Sequence, residues 1–433
     1  MHFIKRAILD SILSRLKQDR VIVIMGARQT GKTTLCDNRI PESLNLPFTY
    51  ISFDDPDERL RFQTSAITIL ESIDTPLIIL DEVQKIPSLF DPLKYIVDKL
   101  KRKGGTQKIF ILTGSSQLML LKNIKETLAG RVALFNLYPF SLCEVLEAGL
   151  APFLTNIWKG HTITKKDVGQ FLVLRPEQMR LATQIRDEHQ SWGGYPPVWQ
   201  RKEASDKINW LKDYRKTYIE RDLSDVGLVA DIDTFILAQK LLCARTGQIL
   251  SISEVARDAS LAVNTVKRYI NLLTLSFQCY LLPPYFENVG KRLIKSPKIF
   301  FPDAGLNRVT MGEITINTGA AYESWVFSEL IKWKQLQPVE PALFYYRTGG
   351  GLEIDFLLAG NGTLIPIEAK VSDKASPADG RSLEAFMNEH KKSVPIGIIV
   401  YRGRELKEIR KNIWAIPDWY LFGGIPVTRE RKI

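Results

Sequence analysis

The feature that most constrains this chain is a glycine-rich loop near its amino terminus. Four apolar residues at 21–24 lead into the segment 26–34, which reads GARQTGKTT. This segment matches G-x-x-x-x-G-K-[ST] at every position, directly after a strand-like run and before a helix-like one. Glycines at these places let backbone N–H groups wrap around phosphate oxygens, and the start of the following helix adds a positive field. The sequence therefore predicts a site for the phosphates of a nucleotide.

Within this loop, Lys32 is predicted to contact the β and γ phosphates of ATP, and Thr33 is predicted to hold Mg²⁺. The other loop positions expected to bind the nucleotide are Gly26, Ala27, Arg28, Gln29, Thr30, Gly31 and Thr34. The alternative is a glycine-rich turn between a strand and a helix, which does not account for a full match in this context.

A second strand-like run ends in two acidic residues. The apolar residues 77–80 precede Asp81 and Glu82, a pattern typical of a buried parallel strand. Ligands of open α/β sheets bind at the carboxyl ends of the strands, so we expect both acids to face the phosphate loop. Asp81 is predicted to hold Mg²⁺ through water, and Glu82 to orient and deprotonate the attacking water. Two surface acids after a strand are the alternative.

Hydroxyl groups and one arginine are also predicted to act at the nucleotide. The strand-like run 108–117 ends in hydroxyls, and Ser115 or Ser116 is expected to sense the γ phosphate, although hydroxyls also cap helices. Arg131 stands at the end of a helix-like stretch, just before another strand. An arginine there can reach the nucleotide of a neighbouring subunit and stabilise the transition state. A plain surface arginine fits the residues equally well.

Length and charge limit the classes of protein to which this chain can belong. A chain of 433 residues is expected to hold about three domains. The 59 Lys and Arg against 48 Asp and Glu give a net charge of +11, which suits a polyanion such as nucleic acid or an acidic membrane surface. The four cysteines lie far apart, which favours free thiols in a reducing compartment. Because the first 19 residues form an amphipathic pattern and no apolar run spans a bilayer, we expect a cytoplasmic protein without membrane association.

The middle of the chain contains a helix-turn-helix pattern at 252–273. Its apolar positions recur at helical spacing around a short turn at 260–262, and they are Val255, Ala256, Ala259, Val263, Val266, Ile270 and Leu273. The residues predicted on the outer face of the second helix, where they can contact DNA, are Asn264, Thr265, Lys267 and Arg268. A winged helix used only as a structural block is the alternative. Residues 150–190 are weakly patterned, and a basic amphipathic helix is predicted at 207–223.

Acidic residues near the carboxyl terminus suggest a second site. Glu323 lies on a predicted helix, Asp355 ends a strand of a predicted hairpin, and Glu368 and Lys370 share one face of the next strand. Asp355 and Glu368 supply the oxygen ligands that Mg²⁺ prefers, and the ion polarises phosphate and activates water. Lys370 is predicted to orient that water or to stabilise developing charge. The alternative is a solvated strand edge with inert salt bridges.

Four blocks of the sequence resemble a known family. GARQTGKTTL, LDEVQKIPSL, ILTGSSQLML and LAGRVALFNLYPFSLCEV, in this order, are similar to the AAA+ ATPases of bacteria and archaea. They look most like the group whose carboxyl-terminal half is a conserved domain of unknown function with a restriction-endonuclease-like end. The resemblance implies a homo-oligomer such as a hexameric ring, with Arg131 as the arginine finger. The order of Glu323, Asp355 and the Glu368-x-Lys370 pair resembles a PD-(D/E)XK nuclease core.

The predicted fold is of the α/β class and has four parts. These are an AAA+ P-loop ATPase core at 1–145, a helical lid and linker at 146–232, a winged helix-turn-helix-like domain at 233–310, and an α/β restriction-endonuclease-like domain of PD-(D/E)XK type at 311–433. The expected function is ATP-driven binding or remodelling of DNA, including branched DNA. The alternative is a nucleotide-driven regulatory switch that binds partner proteins, with an inert nuclease-like fold. ATP-dependent protein remodelling is a third interpretation, for which the sequence shows no recognisable substrate-binding module.

Overall fold

The computed structural model describes residues 3–103, 108–115, 124, 126–148, 152–222, 231–286, 295–312 and 319–425. The chain divides into two compact units. The first consists of Lys5–Pro139 with Leu275–Phe277, and the second of Met1–Ile4, Phe140–Thr274 and Gln278–Ile433. The boundaries predicted at 145, 232 and 310 all fall inside the second unit, and they stay predictions.

A five-stranded parallel sheet forms the centre of the first unit. Its strands are β1 (Val21–Met25), β2 (Phe48–Ser52), β3 (Leu77–Asp81), β4 (Ile109–Gly114) and β5 (Val132–Asn136), in the spatial order β2-β3-β4-β1-β5. All four strand pairs are parallel. The apolar runs of β1 and β3 are buried along their whole length, as expected for a sheet covered on both faces. Their carboxyl ends therefore meet at one edge.

Helices connect these strands, as parallel pairing requires. The α-helices described in this unit are Ile8–Arg15, Lys32–Thr34, Ile40–Leu44, Pro56–Ser72 and Phe90–Lys103. A π-helical turn, Leu35–Arg39, extends the helix that starts at Lys32. Asp55 caps the helix Pro56–Ser72, because its side chain accepts a hydrogen bond from the backbone N–H of Asp57.

The second unit begins with a helical region. Its α-helices are Leu142–Val145, Pro152–Trp158, Lys165–Leu172, Pro176–Trp192, Pro196–Trp199 and Ala204–Asp222. The weakly patterned stretch 150–190 is thus largely helical where it is described. The short segment between the helices Pro176–Trp192 and Pro196–Trp199 contains Gly194, where a Cβ atom would stand 2.2 Å from the carbonyl oxygen of Phe140. Only glycine fits this approach without a backbone shift.

Two helices joined by a short turn lie where the helix-turn-helix pattern was predicted. They are Ile252–Asp258 and Val263–Leu275, and they pack with the helix Ile232–Cys243 around one buried apolar cluster. Ser260 takes the left-handed conformation between the two helices, with a φ of 54°. One detail was wrong: Val263, predicted to face inward, is 41% exposed at the helix start. Strands β6 (Tyr280–Leu282) and β7 (Lys298–Phe300) pair antiparallel, and residues 287–294 between them lie outside the described part.

A six-stranded mixed sheet follows, preceded by the helices Ala304–Met311 and Gly319–Lys334. Its strands are β8 (Ala342–Arg347), β9 (Glu353–Gly360), β10 (Thr363–Lys370), β11 (Gly397–Tyr401), β12 (Lys407–Arg410) and β13 (Ile413–Pro417), in the order β12-β13-β11-β10-β9-β8. The predicted hairpin is confirmed as the antiparallel pair β8–β9. The helix Arg381–Glu389 packs Leu383 and Phe386 into the core of this sheet.

Two composition-based expectations concern cysteines and membranes. All four cysteines are free thiols and buried, which confirms the prediction for Cys36, Cys143, Cys243 and Cys279. Within the described ranges, every helix is too short or too polar to cross a bilayer.

Candidate functional site

The phosphate loop follows β1 and requires glycine at two positions. A Cβ atom at Gly26 would stand 2.3 Å from the carbonyl oxygen of Leu137. Gly31 has a φ of 92°, in the left-handed region that favours glycine. Thr30 stabilises the loop from inside, because its hydroxyl donates to the carbonyl oxygen of Ala27 over 2.9 Å. A cavity of about 270 Å³ lies against the loop, and its lining includes Arg28, Gln29, Gly31, Lys32, Thr33 and Thr34.

The ammonium group of Lys32 lies inside this loop. It donates hydrogen bonds to the carbonyl oxygens of Gly26, at 2.9 Å, and Ala27, at 3.0 Å. Burial lowers the pKa of Lys32, and the nearby charges of Glu82 and Asp81 oppose that effect. The side-chain nitrogen of Lys32 therefore lies where the loop backbone curves.

Asp81 stands at the carboxyl end of β3, beside Thr33. Its Oδ2 atom lies 3.4 Å from the hydroxyl of Thr33 and accepts a hydrogen bond from Tyr50 at 2.6 Å. Its Oδ1 atom accepts a hydrogen bond from Thr113 on β4. Ligand oxygens that share one Mg²⁺ ion in octahedral geometry are about 3 Å apart. The side chains of Thr33 and Asp81 therefore fit a Mg²⁺ ion, directly or through its water.

Glu82 is held in an uncommon backbone conformation. Its φ of 56° lies in the left-handed region, which residues with a Cβ atom adopt rarely. Its Oε2 atom accepts hydrogen bonds from the hydroxyl of Ser115, at 3.0 Å, and from the amide of Gln84. The predicted sensor Ser115 thus contacts the predicted base directly. Gln84 was missed, although a glutamine two places after the acid pair was visible in the sequence. Ser116 lies outside the described residues.

Arg6 is a second residue that the sequence did not reveal. Its side chain is only 8% exposed. One guanidinium nitrogen donates to the carbonyl oxygen of Thr30 over 2.7 Å, and the other donates to that of Tyr138 over 2.5 Å. It therefore ties the phosphate loop to the segment that follows β5. The amphipathic pattern of the first residues had placed the charges among them on the solvent side.

Arg131, the predicted arginine finger, forms a bidentate ion pair. Its Nε and Nη2 atoms lie 2.8 Å and 3.1 Å from the two carboxylate oxygens of Asp98 on the helix Phe90–Lys103. This guanidinium lowers the pKa of Asp98. A role at a neighbouring subunit therefore requires Arg131 to leave or share this pair, and that role stays a prediction.

The predicted DNA-contact residues lie on the helix Val263–Leu275. Asn264, Lys267 and Arg268 are exposed, and Thr265 is half-buried. The guanidinium of Arg268 lies 5.7 Å from the ring centre of Tyr269. Two cations and an amide thus face outward from one helix, as predicted.

The predicted carboxyl-terminal residues come together in space. Glu323 lies on the helix Gly319–Lys334, and the side chain of Asp355 accepts a hydrogen bond from the backbone N–H of Ala369 at 2.9 Å. The ammonium of Lys370 donates to Glu368 over 3.3 Å. One placement was wrong: Asp355 lies near the start of β9 rather than at its end. Because β9 and β10 are antiparallel, this still brings Asp355 to the end of β10.

A buried lysine that the sequence did not single out completes this arrangement. Lys298, on β7, is only 3% exposed. Its ammonium nitrogen lies 3.1 Å from Glu323, 2.9 Å from Glu353 and 4.0 Å from Asp355. We call the group Glu323, Glu353, Asp355 and Glu368 the carboxylate cluster. A lysine within the otherwise apolar run at 298–301 was the available signal.

The electrostatics of the carboxylate cluster follow from its burial. Burial and the charge of Asp355 raise the pKa of Glu323 to about 8 and that of Glu368 to about 7. Burial also raises the pKa of Asp355. Burial opposes the charge on Lys298, but the surrounding carboxylates outweigh it and raise its pKa. Four carboxyl groups thus share two ammonium groups.

The carboxylate cluster does not offer the geometry of a metal site. Among the described residues, no group of three or more His, Cys, Asp or Glu side chains is placed to hold one ion. The ammonium of Lys298 lies between Glu323 and Glu353, where a cation would sit. The assignment of a metal to Asp355 and Glu368 stays a prediction, and the buried Oε2 atom of Glu368 has no hydrogen-bond partner in the described part of the chain.

Comparison with protein families finds a match in the first part of the chain. Residues 18–146 match the family model described as the AAA domain. Residues 183–314 match a domain of unknown function, DUF8612, and residues 318–421 match another, DUF4143. The first match agrees with the phosphate loop and the acid pair described above.

Among individual proteins, an uncharacterized protein of Mycobacterium tuberculosis is 28% identical over 404 residues, covering 92% of this chain and 80% of that one. One from Methanocaldococcus jannaschii is 23% identical over 425 residues, covering 94% and 88%. Similar solved structures include AMPPCP-bound DnaA from Aquifex aeolicus, with 15% identity, a TM-score of 0.27 and coverage of 63% and 89%. The Aeropyrum pernix ORC1 protein in complex with DNA has 12% identity, a TM-score of 0.27 and coverage of 70% and 90%. Scores this low support no conclusion about fold or function.

Proposed function

We propose that the chain hydrolyses ATP in its first unit and uses this reaction to bind or remodel DNA, with branched DNA among its substrates. The observation that carries the proposal is the convergence of Lys32, Thr33, Asp81 and Glu82 at the carboxyl edge of one parallel sheet. Each residue type has a distinct use there. The chain acts as a homo-oligomer, such as a hexameric ring, in which Arg131 reaches the nucleotide of the next subunit.

Each side chain has one task in hydrolysis. Lys32 turns from its carbonyl partners to the β and γ phosphates of ATP. Thr33 and Asp81 would hold Mg²⁺, which would neutralise phosphate charge. Glu82 orients the attacking water and accepts its proton, and Ser115 positions the Glu82 carboxylate. The loop N–H groups stabilise the charge that develops on the phosphate oxygens.

Two substitutions test the ATPase part. Lys32→Ala removes the cation that contacts ground-state phosphates, so nucleotide binding is expected to be lost. Glu82→Gln removes only the base, so binding is expected to persist while hydrolysis falls by at least about a hundredfold. Calorimetry with ATP measures the first quantity, and phosphate release measures the second. A normal rate in Glu82→Gln would show that another group activates the water.

The DNA part rests on the outward face of the helix Val263–Leu275 and on the net charge of +11. Lys267 and Arg268 are exposed there, next to the exposed amide of Asn264. Cations on one helix face neutralise phosphates, and each phosphate contact contributes about one unit to the salt dependence of binding. Recognition of DNA by this face therefore predicts a steep loss of affinity as salt is raised.

Fluorescence anisotropy on single-stranded, duplex, forked and four-way DNA tests this proposal, with and without ATP. Lys267→Ala combined with Arg268→Ala is expected to weaken binding and to flatten the salt slope by about two units. The matched control is Lys240→Ala combined with Arg257→Ala, which removes two exposed charges from other helices of the same domain. If the two double variants weaken DNA binding equally, binding depends on the overall charge of the chain and not on a contact made by Lys267 and Arg268.

A second candidate function is favoured by one observation, the burial of Lys298 within the carboxylate cluster. In this interpretation the chain is a nucleotide-driven regulatory switch that binds partner proteins, and its carboxyl-terminal fold is inert. A nuclease assay on branched DNA, with and without Asp355→Ala, separates the two candidates. Cleavage that depends on Asp355 supports DNA processing, whereas its absence together with absent DNA binding supports the switch.

A further inference from the structure

We infer that the carboxylate cluster carries its own cation, the ammonium group of Lys298, and that it works without a divalent metal ion. This inference goes beyond the ATPase and DNA-binding proposals, because it concerns a different site and depends on neither. It assigns to Lys298 the neutralisation of carboxylate charge that Mg²⁺ would otherwise supply.

The geometry around Lys298 is that of a dedicated counterion. Its ammonium nitrogen lies 2.9 Å from Glu353 and 3.1 Å from Glu323, which are hydrogen-bonding distances for an ion pair. Asp355 lies 4.0 Å away, and the ring centre of Tyr345 lies 5.6 Å away. One nitrogen is thus surrounded by acidic groups from a helix and a strand, with an aromatic ring beside them.

The backbone of Lys298 is held as firmly as its side chain. Leu282 pairs with Lys298 in the β6–β7 ladder, and Ile249 forms an isolated bridge with it. The stem of the side chain is buried, which deprives it of alternative positions in water. The ammonium is therefore part of the folded core rather than a mobile surface group.

Among the described residues, Asp355 and Glu368 each have one protein donor, and the Oε2 atom of Glu368 is buried without a hydrogen-bond partner. Asp355 accepts a hydrogen bond from the backbone N–H of Ala369, and Glu368 accepts one from Lys370. A divalent ion requires several oxygens within about 2.0–2.6 Å. The ammonium nitrogen of Lys298 excludes such an ion by its volume from the place between Glu323 and Glu353, and its charge opposes an ion at Asp355, 4.0 Å away.

Two consequences follow. The carboxylate cluster is expected to show no metal-dependent hydrolysis of phosphodiesters, because no ion is present to activate water. Lys298 instead ties β7 to the helix that carries Glu323 and to the strand that carries Glu353 and Asp355. This link is expected to persist when Mg²⁺ is removed.

The first experiment is a titration of the full chain with Mn²⁺, in the Lys32→Ala background and without nucleotide. Calorimetry and the electron paramagnetic resonance signal of Mn²⁺ report binding. The expected result is that Asp355→Asn changes neither signal. Stoichiometric Mn²⁺ binding that Asp355→Asn abolishes would overturn the inference. This test requires no change at Lys298. Its outcome does not depend on whether the unmodified chain hydrolyses ATP.

The second experiment removes the cation. Lys298→Met keeps most of the side-chain volume but leaves three carboxylates without their ammonium, and is expected to lower Tm by roughly 5–10 °C. Lys295→Met, an exposed lysine three residues earlier, is the control and is expected to leave Tm unchanged. Either millimolar Mn²⁺ or the additional change Glu323→Gln is expected to recover part of the lost Tm. Mn²⁺ adds positive charge, and Glu323→Gln removes one negative charge. An unchanged Tm, or a loss that neither treatment recovers, contradicts the role of Lys298 as a counterion.

Discussion

The hydroxyl of Ser115 donates a hydrogen bond to Oε2 of Glu82 over 3.0 Å. This bond joins the ends of two neighbouring strands, β3 and β4, at the edge where the phosphate loop lies. Glu82 has a left-handed backbone, so its side chain depends on such partners for its direction. Ser115 thus helps to position the carboxylate of Glu82, which is proposed to activate water.

Ser115→Ala is therefore expected to lower the rate of ATP hydrolysis by roughly tenfold or more, because a misplaced base loses part of its contribution. The affinity for ATP is expected to stay within about twofold, since the hydroxyl of Ser115 donates its hydrogen bond to Glu82. Steady-state kinetics and equilibrium binding measure the two effects. Ser72→Ala, on the helix Pro56–Ser72, is the control. If Ser115→Ala weakens binding as much as turnover, the hydroxyl has a different role.

Arg131 and Asp98 provide a test of subunit cooperation. An arginine finger acts across an interface, so hydrolysis per subunit is expected to rise with protein concentration. Arg131→Ala is expected to bind ATP normally and to turn it over at least about a hundredfold more slowly. Mixing this variant with Lys32→Ala subunits is expected to restore part of the activity.

Asp98→Ala is the matched control for Arg131→Ala, because both remove the same bidentate ion pair. If the pair only stabilises the fold, the two variants will lower activity equally. If Arg131 acts on a neighbouring nucleotide, Asp98→Ala will retain turnover. A rate per subunit that does not change with concentration, in a chain shown to be monomeric, removes Arg131 from the mechanism.

Arg6 is expected to stabilise the phosphate loop. Arg6→Ala leaves the carbonyl oxygens of Thr30 and Tyr138 without their charged donor, at a cost of about 2–4 kcal/mol in the free energy of unfolding. The KM for ATP is expected to rise, because the loop loses its attachment. Lys5→Ala, at an adjacent exposed residue, is expected to change neither value. Chemical denaturation and steady-state kinetics check both variants, and equal behaviour of the two would show that Arg6 is dispensable.

His189 is expected to make stability depend on pH. It is fully buried, and Trp325 donates a hydrogen bond to its Nδ1 atom over 2.9 Å. Since the indole N–H is only a donor, the ring proton belongs to Nε2, which donates to the carbonyl oxygen of Phe140 over 2.8 Å. Burial lowers the pKa of His189 to about 4. The folded state therefore holds the ring neutral.

Because the folded pKa is lower than that of the unfolded chain, the unfolded state binds more protons below about pH 6.5. The contribution of His189 to stability is complete above that pH and is lost as pH falls towards about 4, by roughly 3 kcal/mol in total. Denaturation of the chain between pH 7 and 4 measures this loss. His189→Gln is expected to flatten the pH dependence, whereas His161→Gln, at an exposed position, is expected to preserve it. An unchanged slope in His189→Gln contradicts the burial argument.

Several features could be predicted from the sequence because they depend on neighbouring residues. The phosphate loop needs a strand, a glycine with positive φ at Gly31 and a helix start, all within about ten residues. The helix-turn-helix and the hairpin β8–β9 follow from local periodicity and turn residues. The helix Lys165–Leu172 escaped detection because apolar side chains such as Leu172 and Val173 are exposed, which obscures the periodicity.

The carboxyl-terminal site has one feature that local sequence patterns do not predict. Its order of Glu323, Asp355, Glu368 and Lys370 was visible in the sequence, and the antiparallel register of β9 and β10 brings these residues together. The sequence could not show which cation they meet. Lys298 lies on a different strand, and nothing in its immediate neighbours indicates that it points into acidic groups.

The sequence by itself determined the nucleotide loop, the acids at the end of β3 and the helices and strands with regular periodicity, because these depend on short-range backbone geometry and side-chain spacing. Only the tertiary structure decided that Arg6 and Lys298 are buried. The carbonyl partners of Arg6 lie 24 and 132 residues away, and Lys298 meets Glu323 from 25 residues away. A charged side chain can leave water only where folding brings it opposite charges or hydrogen-bond acceptors, and those partners are chosen by the packing of distant elements.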